Sequence, residues 1–469
     1  MKRIQYITIT ALASVVLSSC VVGQKYQRTE LNSPTAYREA FLLTGDTIAM
    51  PWKAFYKDPM LQELIDKALT KNFEIATALK TMEQVDLNYK QVKLALLPTL
   101  DLNVTANRSY LSKTSLNGSL SEQFTGQKYL DDYNANLALS WEADIWGKAA
   151  LQKRDARASY FAQKENLSAL KTRIIVQVAQ AYYSLLGLDE QLKIAEKNID
   201  ITDVTLKMMR LQYNSGVISS LAVNQTEAQK KTAELLIPQA KTAIAVQENA
   251  LQLLCGSFPD KIIRSGSFDN STIEAKFPAG IPASLLSRRP DVKASEYMVM
   301  SAAAKSGLAK AAMYPSLTLT PQIGANSFEF EKWFDFPGSI TKTIAVGLVQ
   351  PLFRKKELST AYKVAKLEQE KAVISFKQSY TTAIGEVSDA MAKLKYAEER
   401  STLIDHKSLA MEKAVKDATL LYGNGMVNYL EVITAQNNAL QNDLEAIAIK
   451  LERINSAIDL YRALGGGVE

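Results

Sequence analysis

A stretch that occurs twice constrains this chain more than any other feature. Residues 213–256 can be laid on residues 422–465 without a gap, since 422 − 213 and 465 − 256 are both 209. Both copies begin with Tyr-x-x-Gly and lie between two helical patterns. Glycine readily adopts the left-handed conformation that ends a helix and reverses the chain. We therefore predict two antiparallel helical hairpins with matching tips at residues 213–220 and 422–428.

A second repeated segment frames the first. Residues 68–102 lie over residues 285–319 at an offset of 217, the difference 285 − 68. Because internal repetition of this kind reflects the architecture of the whole chain, we interpret it before any local pattern. We therefore predict two structural repeats, residues 60–256 and 283–465, joined by an equatorial linker over residues 257–282.

The first residues have the pattern of an export signal. The chain opens with three residues, Met-Lys-Arg, and residues 4–17 are mainly apolar but too short to span a bilayer as a helix. The following Ser-Ser-Cys resembles the lipobox of bacterial lipoproteins, and the alternative is an ordinary cleavage site beside a cysteine. We predict a lipoprotein signal peptide over residues 1–19 and covalent lipid, N-palmitoyl and S-diacylglycerol, on Cys20. Residues 20–59 then form a lipidated extension, and residues 466–469 a short C-terminal tail.

Charge and motifs exclude several classes of protein. The net charge of +6 comes from 55 Lys and Arg against 49 Asp and Glu, spread along helical patterns without the basic block of a nucleic-acid-binding protein. The sequence lacks GxxxxGK[ST], HExxH and paired CxxC motifs. The adjacent Met208 and Met209 are interpreted as packing residues, with a soft-metal site as the alternative. We expect no catalytic residue, no metal site and no cofactor other than lipid.

Alternating polar and apolar residues predict four strands. The pattern is clear in residues 99–107 and 133–141, begins again at residues 316–320, and is weaker in residues 341–353. Polar loops at residues 111–132 and 327–340 make each pair a hairpin, over residues 99–146 and 316–353. A polar face opposite an apolar face is typical of a transmembrane barrel with a wet lumen, and the alternative is a half-buried sheet in a soluble domain.

Four strands cannot close a barrel alone. An open edge would leave unpaired backbone N–H and C=O groups in hydrocarbon. Two copies would supply eight strands and form a barrel whose interior is filled by side chains. Three copies would supply twelve strands and leave a lumen. We therefore predict a homotrimer.

Four helical patterns accompany the strands. The two longest run over residues 149–213 and 355–422, and two shorter ones cover residues 60–96 and 220–254. Apolar stripes on such long helices need neighbouring helices to cover them. Trimerisation would supply those neighbours and form a second, helical barrel.

This duplicated plan of strands, long helix, tip and helix resembles the outer membrane efflux proteins, the TolC-like channel-tunnels. The lipobox and the motif Ser-Arg-Arg-Pro-Asp-Val at residues 287–292 are similar to the lipoprotein branch that serves resistance-nodulation-division pumps. The resemblance implies an α+β membrane protein, a trimeric twelve-stranded transmembrane β-barrel with four strands per chain, continued by a long periplasmic α-helical barrel. It also implies a lipid-anchored location in the outer membrane, a periplasmic adaptor docked at the tips, and an inner-membrane pump.

The resemblance also assigns roles to residues near the tips. Tyr213, Gly216, Tyr422 and Gly425 are expected to form the tip turns and the adaptor docking sites. Glu431 matches the position where the family often has an acidic residue in the constriction at the periplasmic mouth. Three copies would form a ring that favours cations, and the alternative is an ordinary exposed charge.

The predicted function is an outer membrane channel in a tripartite efflux system. It would be a passive exit duct for small molecules such as drugs, expelled by the inner-membrane pump through the adaptor. The alternatives are a duct for heavy metals or for type I protein secretion, or a lipid-anchored coiled-coil structural protein without a pore.

Overall fold

The computed structural model describes residues 27–28, 30–31, 34–38, 51–112, 114–264, 268 and 282–467. The predicted signal peptide at residues 1–19 and the predicted lipidation site Cys20 lie outside the described residues, as do most of the extension and much of the linker.

The described elements follow one another as helices and strands. The helices are α1 Trp52–Phe55, α2 Pro59–Lys71, α3 Phe73–Val92, α4 Leu116–Thr125, α5 Lys148–Asn214, α6 Ser220–Leu254, α7 Leu285–Arg288, α8 Pro290–Ala311, α9 Glu357–Gly423 and α10 Tyr429–Ala463. The strands are β1 Thr99–Ser109, β2 Leu130–Glu142, β3 Ser316–Ser327 and β4 Ile340–Val349. Short 3-10 turns lie at Pro282–Ser284 and Phe330–Lys332.

The chain forms two compact units. One contains the four strands and the adjoining helix segments, in residues 84–161 and 297–374. The other contains residues 30–83, 162–296 and 375–469, which include both helix tips. Within the described part of the chain, every helix falls short of the apolar length needed to cross a membrane.

The strands form one antiparallel sheet in the order β1-β2-β3-β4. Asn103 pairs with Asn136, Asn136 with Gly324, and Gly324 with Thr341, so these positions form one row across the sheet. The neighbouring row runs from Leu102 through Leu137 and Ile323. That row ends at Lys342 of β4, which pairs with Ile323. Because adjacent residues of a strand point to opposite faces, the register gathers mainly polar side chains on one face and mainly apolar side chains on the other. The predicted four-stranded sheet is thus confirmed.

The connections of the sheet differ from two predictions. The fourth strand ends at Val349 and does not reach Phe353. Pro351 lacks a backbone N–H and cannot continue a ladder of hydrogen bonds. The segment 111–132, predicted as a loop, contains the helix α4, because local helical bonds satisfy its backbone where no strand partner is available.

The long helices α5 and α9 lie within two residues of their predicted limits, and α6 has the predicted limits. The prediction of one continuous helix over residues 60–96 is wrong. Asn72 has an extended ψ of 131° and ends α2. Its side-chain Oδ1 accepts hydrogen bonds from the N–H groups of Glu74 at 2.9 Å and Ile75 at 3.1 Å, which caps a new helix.

A similar break separates α7 from α8 at Arg289. The two breaks are at equivalent positions, since 289 − 72 is 217, the offset of the second repeated segment. Near each break a glycine with positive φ ends a helix of a hairpin. A Cβ built on Gly256 would lie 2.1 Å from the carbonyl oxygen of Lys71, and one on Gly465 would lie 3.0 Å from Cβ of Arg288. These close approaches require glycine, since any side chain would displace a neighbouring helix end.

The second unit has an extensive apolar core. The ring of Phe55 stacks on that of Tyr461 with centroids 4.1 Å apart. The hydroxyl of the fully buried Tyr182 donates to Oδ2 of Asp58 at 2.7 Å, while Oδ1 of Asp58 accepts from the N–H of Met60 at 2.9 Å. One carboxylate thus caps α2 and ties it to α5.

Candidate functional site at the helix tips

Two chain reversals in the second unit have the same backbone hydrogen bonds. Gly216, with φ of +74°, donates to the carbonyl of Tyr213 at 2.9 Å, and Val217 donates to that of Gln212 at 2.9 Å. In the second reversal Gly425, with φ of +70°, donates to the carbonyl of Tyr422 at 3.0 Å. Met426 donates to the carbonyl of Leu421 at 2.9 Å. Both are Schellman motifs, in which a left-handed residue satisfies the last carbonyls of a helix.

The side chains of the two equivalent tyrosines have different environments. Tyr213 is 47% exposed, whereas Tyr422 is 9% exposed and packs in a small core with Met209 and Val432. The Tyr422 hydroxyl donates to Oε1 of Gln212 and lies 3.5 Å from Sδ of Met209. Burial raises the pKa of Tyr422, and the bond to Gln212 opposes that shift. The sequence repeat alone could not distinguish these two environments.

Further polar contacts join the two tips. The Tyr429 hydroxyl donates to Oε1 of Gln225 at 2.5 Å. The amides of Gln229 and Asn437 exchange hydrogen bonds of 2.6 and 3.2 Å. Sequence reasoning did not select these amides, since nothing in the chain around them indicates which helix face they share. They make the tips a single packed assembly within one chain.

Ion pairs stabilise the first hairpin near its tip. Lys230 on α6 pairs with Asp203 on α5, and Arg210 lies 3.6 Å from a carboxylate oxygen of Glu227. The hydrogen bond from Lys230 lowers the pKa of Asp203, and Asp203 in turn raises the pKa of Lys230. Both groups are therefore charged at neutral pH.

Exposed apolar side chains surround both turns. They occupy equivalent positions in the two tips: Leu211 and Leu420, Val217 and Met426, Leu221 and Leu430. Isolated apolar side chains are common on surfaces, but a cluster repeated in both tips indicates a surface that another chain can cover.

Glu431 lies in the first turn of α10 and is exposed. Its equivalent in the first tip, Ala222, is fully buried. The side chain of Asn428 caps this helix by accepting from the N–H of Leu430 at 2.8 Å. A negative charge at a helix N-terminus is favoured by the helix dipole, and Glu431 places its carboxyl group there.

The Arg-Arg-Pro-Asp motif lies away from the tips and forms an ion-pair network around the buried Arg289. The guanidinium of Arg289 donates to both oxygens of Asp291 at 3.0 and 2.6 Å and to Glu386 at 2.7 Å. Burial lowers the pKa of Arg289, but the bonds to Asp291 and Glu386 outweigh that effect and raise it. Arg462 approaches Glu386 at 3.5 Å. The motif therefore holds the start of α8 against α9 and the end of α10.

The residues of the two tips define what this site can do. They offer turns, apolar contacts, amide hydrogen bonds and a carboxylate. Across the described ranges, no group of three or more His, Cys, Asp and Glu side chains could hold a metal ion. The arrangement holds helices together and presents exposed apolar side chains and one exposed carboxylate group at the tips.

Comparison with known proteins gives a consistent result. The model of the outer membrane efflux protein family matches residues 64–257 and 281–466. The solvent efflux pump outer membrane protein SrpC of Pseudomonas putida is 30% identical over 425 residues, covering 88% of this chain and 87% of that protein. The probable outer membrane lipoprotein SilC of Salmonella typhimurium is 26% identical, with 96% of each chain covered. The open-state structure of the MtrE outer membrane channel of Neisseria gonorrhoeae superposes with a TM-score of 0.85 at 25% identity, covering 96% of this chain and 99% of that one.

Proposed function

Since the chain belongs to the outer membrane efflux protein family, we propose that it is the passive exit duct of a three-part efflux system. Its location in the outer membrane and its role as a channel of an efflux system follow from the family. The proposal adds how the duct is built, where it meets its partners and what controls its mouth.

The two-faced sheet carries this proposal. Its apolar face suits lipid and its polar face suits a water-filled lumen. The strands β1 and β4 are the edges of the sheet and have no strand partner on their outer sides within the described chain. An open edge is unstable in hydrocarbon, so we propose that three copies join β1 to β4 and close a twelve-stranded barrel.

Cysteine cross-linking tests the closure. In a Cys255→Ser background, Asn103→Cys in β1 is combined in turn with Thr341→Cys, Thr343→Cys or Ala345→Cys in β4. Within one chain the edges are roughly 14 Å apart, three strand spacings, which is too far for a disulfide. We expect at least one pair to give a covalent trimer after mild oxidation. Products that stop at the dimer for every pair contradict the trimeric barrel.

The tips are proposed as the docking site for a periplasmic adaptor. The repeated apolar residues around Gly216 and Gly425 are the support for this assignment, because three copies would present six such patches in a ring. The adaptor would connect the duct to an inner-membrane pump of the resistance-nodulation-division type, the class that the Arg-Arg-Pro-Asp motif suggests. Leu221→Asp combined with Leu430→Asp should abolish efflux in cells while the purified protein still conducts ions.

We propose that the entrance at the helix tips opens by breaking contacts between the two tips of each chain. Tyr422 with Gln212 and Tyr429 with Gln225 hold the second tip against the first. An adaptor that binds the separated arrangement more tightly would shift the population toward it. Glu431 would supply three negative charges around the axis of the trimer and favour cations at the entrance.

Small molecules are the proposed cargo, selected upstream of the duct. The names of the relatives differ in what is exported, from solvents and toluene to cations and antibiotics. Related ducts serving such different cargo support the idea that the pump chooses the substrate.

We also propose lipid on Cys20 as a second anchor, supported by the lipoprotein name of SilC.

A further inference from the structure

The segment that joins β4 to α9 has an unusual order of side chains. Leu352 is 92% exposed and Phe353 is 82% exposed, and the exposed residues Arg354, Lys355 and Lys356 follow immediately. We call residues 352–356 the junction segment. Two large apolar side chains beside three cations on an exposed surface form an amphipathic pattern that neither the tips nor the duct requires.

The backbone of the junction segment is ordered by specific contacts. Gln350 Nε2 donates to the carbonyl of Met313 at 3.1 Å. The carbonyl of Arg354 accepts from the N–H of Glu357 at 2.8 Å, and that of Lys356 accepts from Oγ of Ser359 at 2.9 Å. These bonds satisfy the backbone and leave the side chains of the segment directed away from it.

Two lysines in this segment have a conformation that normally favours glycine. The φ of Lys355 is +48° and that of Lys356 is +65°. A residue with a Cβ is strained in this region, whereas glycine is not. The chain therefore has lysine where glycine would be more stable, which indicates that these side chains have a use outside the fold.

The junction segment carries three adjacent positive charges. Two basic residues of the same unit have carboxylate partners: Lys148 lies 2.6 Å from Glu142, and Lys90 lies 2.7 Å from Asp86. Among the residues that the structure describes, Arg354, Lys355 and Lys356 form no ion pair. Their charge is thus available to an external anion.

The junction segment continues the apolar face of β4. Ile344, Val346 and Leu348 are exposed on that face, which meets lipid in an outer membrane channel. With that face against acyl chains, the phosphate headgroups would lie just beyond the last strand residue. Leucine and phenylalanine suit this boundary, and long basic side chains reach the phosphates.

We propose that the junction segment binds the headgroups of anionic phospholipids, with Leu352 and Phe353 inserted at the acyl boundary and Arg354, Lys355 and Lys356 paired with phosphate. This inference rests on the proposed function, since it takes the apolar face of β4 as membrane-facing. Charge complementarity and continuity with that face identify the occupant as the phospholipid leaflet adjoining α9.

Lipid binding to the purified full-length protein in detergent tests the inference. Native mass spectrometry would follow the binding of phosphatidylglycerol, with zwitterionic phosphatidylcholine as the comparison lipid. The test variant is Lys355→Gly combined with Lys356→Gly, which removes two charges and relieves the backbone strain, so it should fold at least as well as the native chain. The matched control is Lys413→Gln combined with Lys416→Gln, two exposed lysines of α9 near its tip.

We expect the native protein and the control to prefer phosphatidylglycerol. The test variant should bind it more weakly by about fivefold for each lysine removed, with little change for phosphatidylcholine. Equal phosphatidylglycerol binding by the test variant and the control would overturn the inference. Channel conductance of the same samples separates the two proposals: lost lipid preference with intact conductance supports the junction site, whereas a native protein that never conducts refutes the duct and removes the basis of this inference.

Discussion

The hydroxyl of Tyr422 shows how one atom distinguishes two equivalent tips. Tyr213 and Tyr422 supply the same carbonyl to the same turn motif, but only the hydroxyl of Tyr422 is buried against Gln212. Tyr422→Phe keeps the ring in its core and removes this hydrogen bond. We expect a loss of about 1 kcal/mol of stability.

The control for that change is Tyr213→Phe. Because this ring is exposed, its effect should stay within about 0.5 kcal/mol. Thermal unfolding of the two purified variants provides the comparison. Equal midpoints would show that the Tyr422 hydroxyl does not stabilise the tips.

Asp443 on α10 provides a prediction about pH. Burial raises its pKa above the ordinary 3.8, Glu412 raises it further, and Lys197 and Asn442 oppose the shift. A raised pKa means that the folded state favours the protonated carboxyl. The stability that this group contributes is therefore complete below pH 3.8 and is lost as pH rises through the folded-state value.

Asp443→Asn should consequently stabilise the protein at pH 7, because the amide has no charge to desolvate. The gain should shrink as the pH falls toward 3.8, the ordinary value of this carboxyl. Unfolding midpoints of the native and variant proteins across this range provide the measurement. A variant that is less stable than the native chain at pH 7 would contradict the assigned burial effect.

At the scale of elements, four helix ends use the same glycine conformation with different packing. Gly216 and Gly425 have open space around the missing Cβ, whereas the position of a Cβ on Gly256 is occupied by the backbone of Lys71. Gly216→Ala and Gly425→Ala should each cost about 1 to 2 kcal/mol, the strain of a left-handed alanine. Gly256→Ala adds a backbone clash and should cost about 3 kcal/mol or more.

Gly385 within α9 is the opposite case. It has negative φ, and apart from the backbone of its own helix no atom of the described residues lies within 4 Å of the position that a Cβ would take. Gly385→Ala should therefore stabilise the protein by roughly 1 kcal/mol, the helix propensity of alanine over glycine. Unfolding measurements on all the alanine variants test this predicted order of stability changes. A Gly256→Ala variant as stable as Gly216→Ala would contradict the close packing at Lys71.

The sequence predicts these elements unevenly, for physical reasons. Periodicity and glycines located α5, α6 and α9, because local patterns determine long helices and their ends. The break at Asn72 was missed, since one asparagine suits both a helix surface and a cap. The contacts of Gln212, Gln225 and Asn437 were also missed, because they depend on which helix faces meet in space. The predicted roles of Glu431 and Cys20 remain predictions.

At the scale of the whole molecule, the same chain combines a two-faced sheet with paired helix tips. The sheet suits a membrane channel, and we propose that the tips form an entrance that partner proteins open. A passive duct needs no catalytic group, only a continuous polar path and a controlled entrance. Glu431 is the one predicted residue that would affect ion passage directly.

Single-channel conductance tests this account most directly. The full-length protein is inserted into planar bilayers and compared with Glu431→Gln, and with Glu445→Gln as a control further along the same helix. We predict cation-selective steps that lose selectivity in Glu431→Gln and keep it in Glu445→Gln, because a ring of carboxylates attracts cations. Absence of conductance from both the native protein and a Tyr422→Phe variant, whose tips are loosened, would contradict the duct.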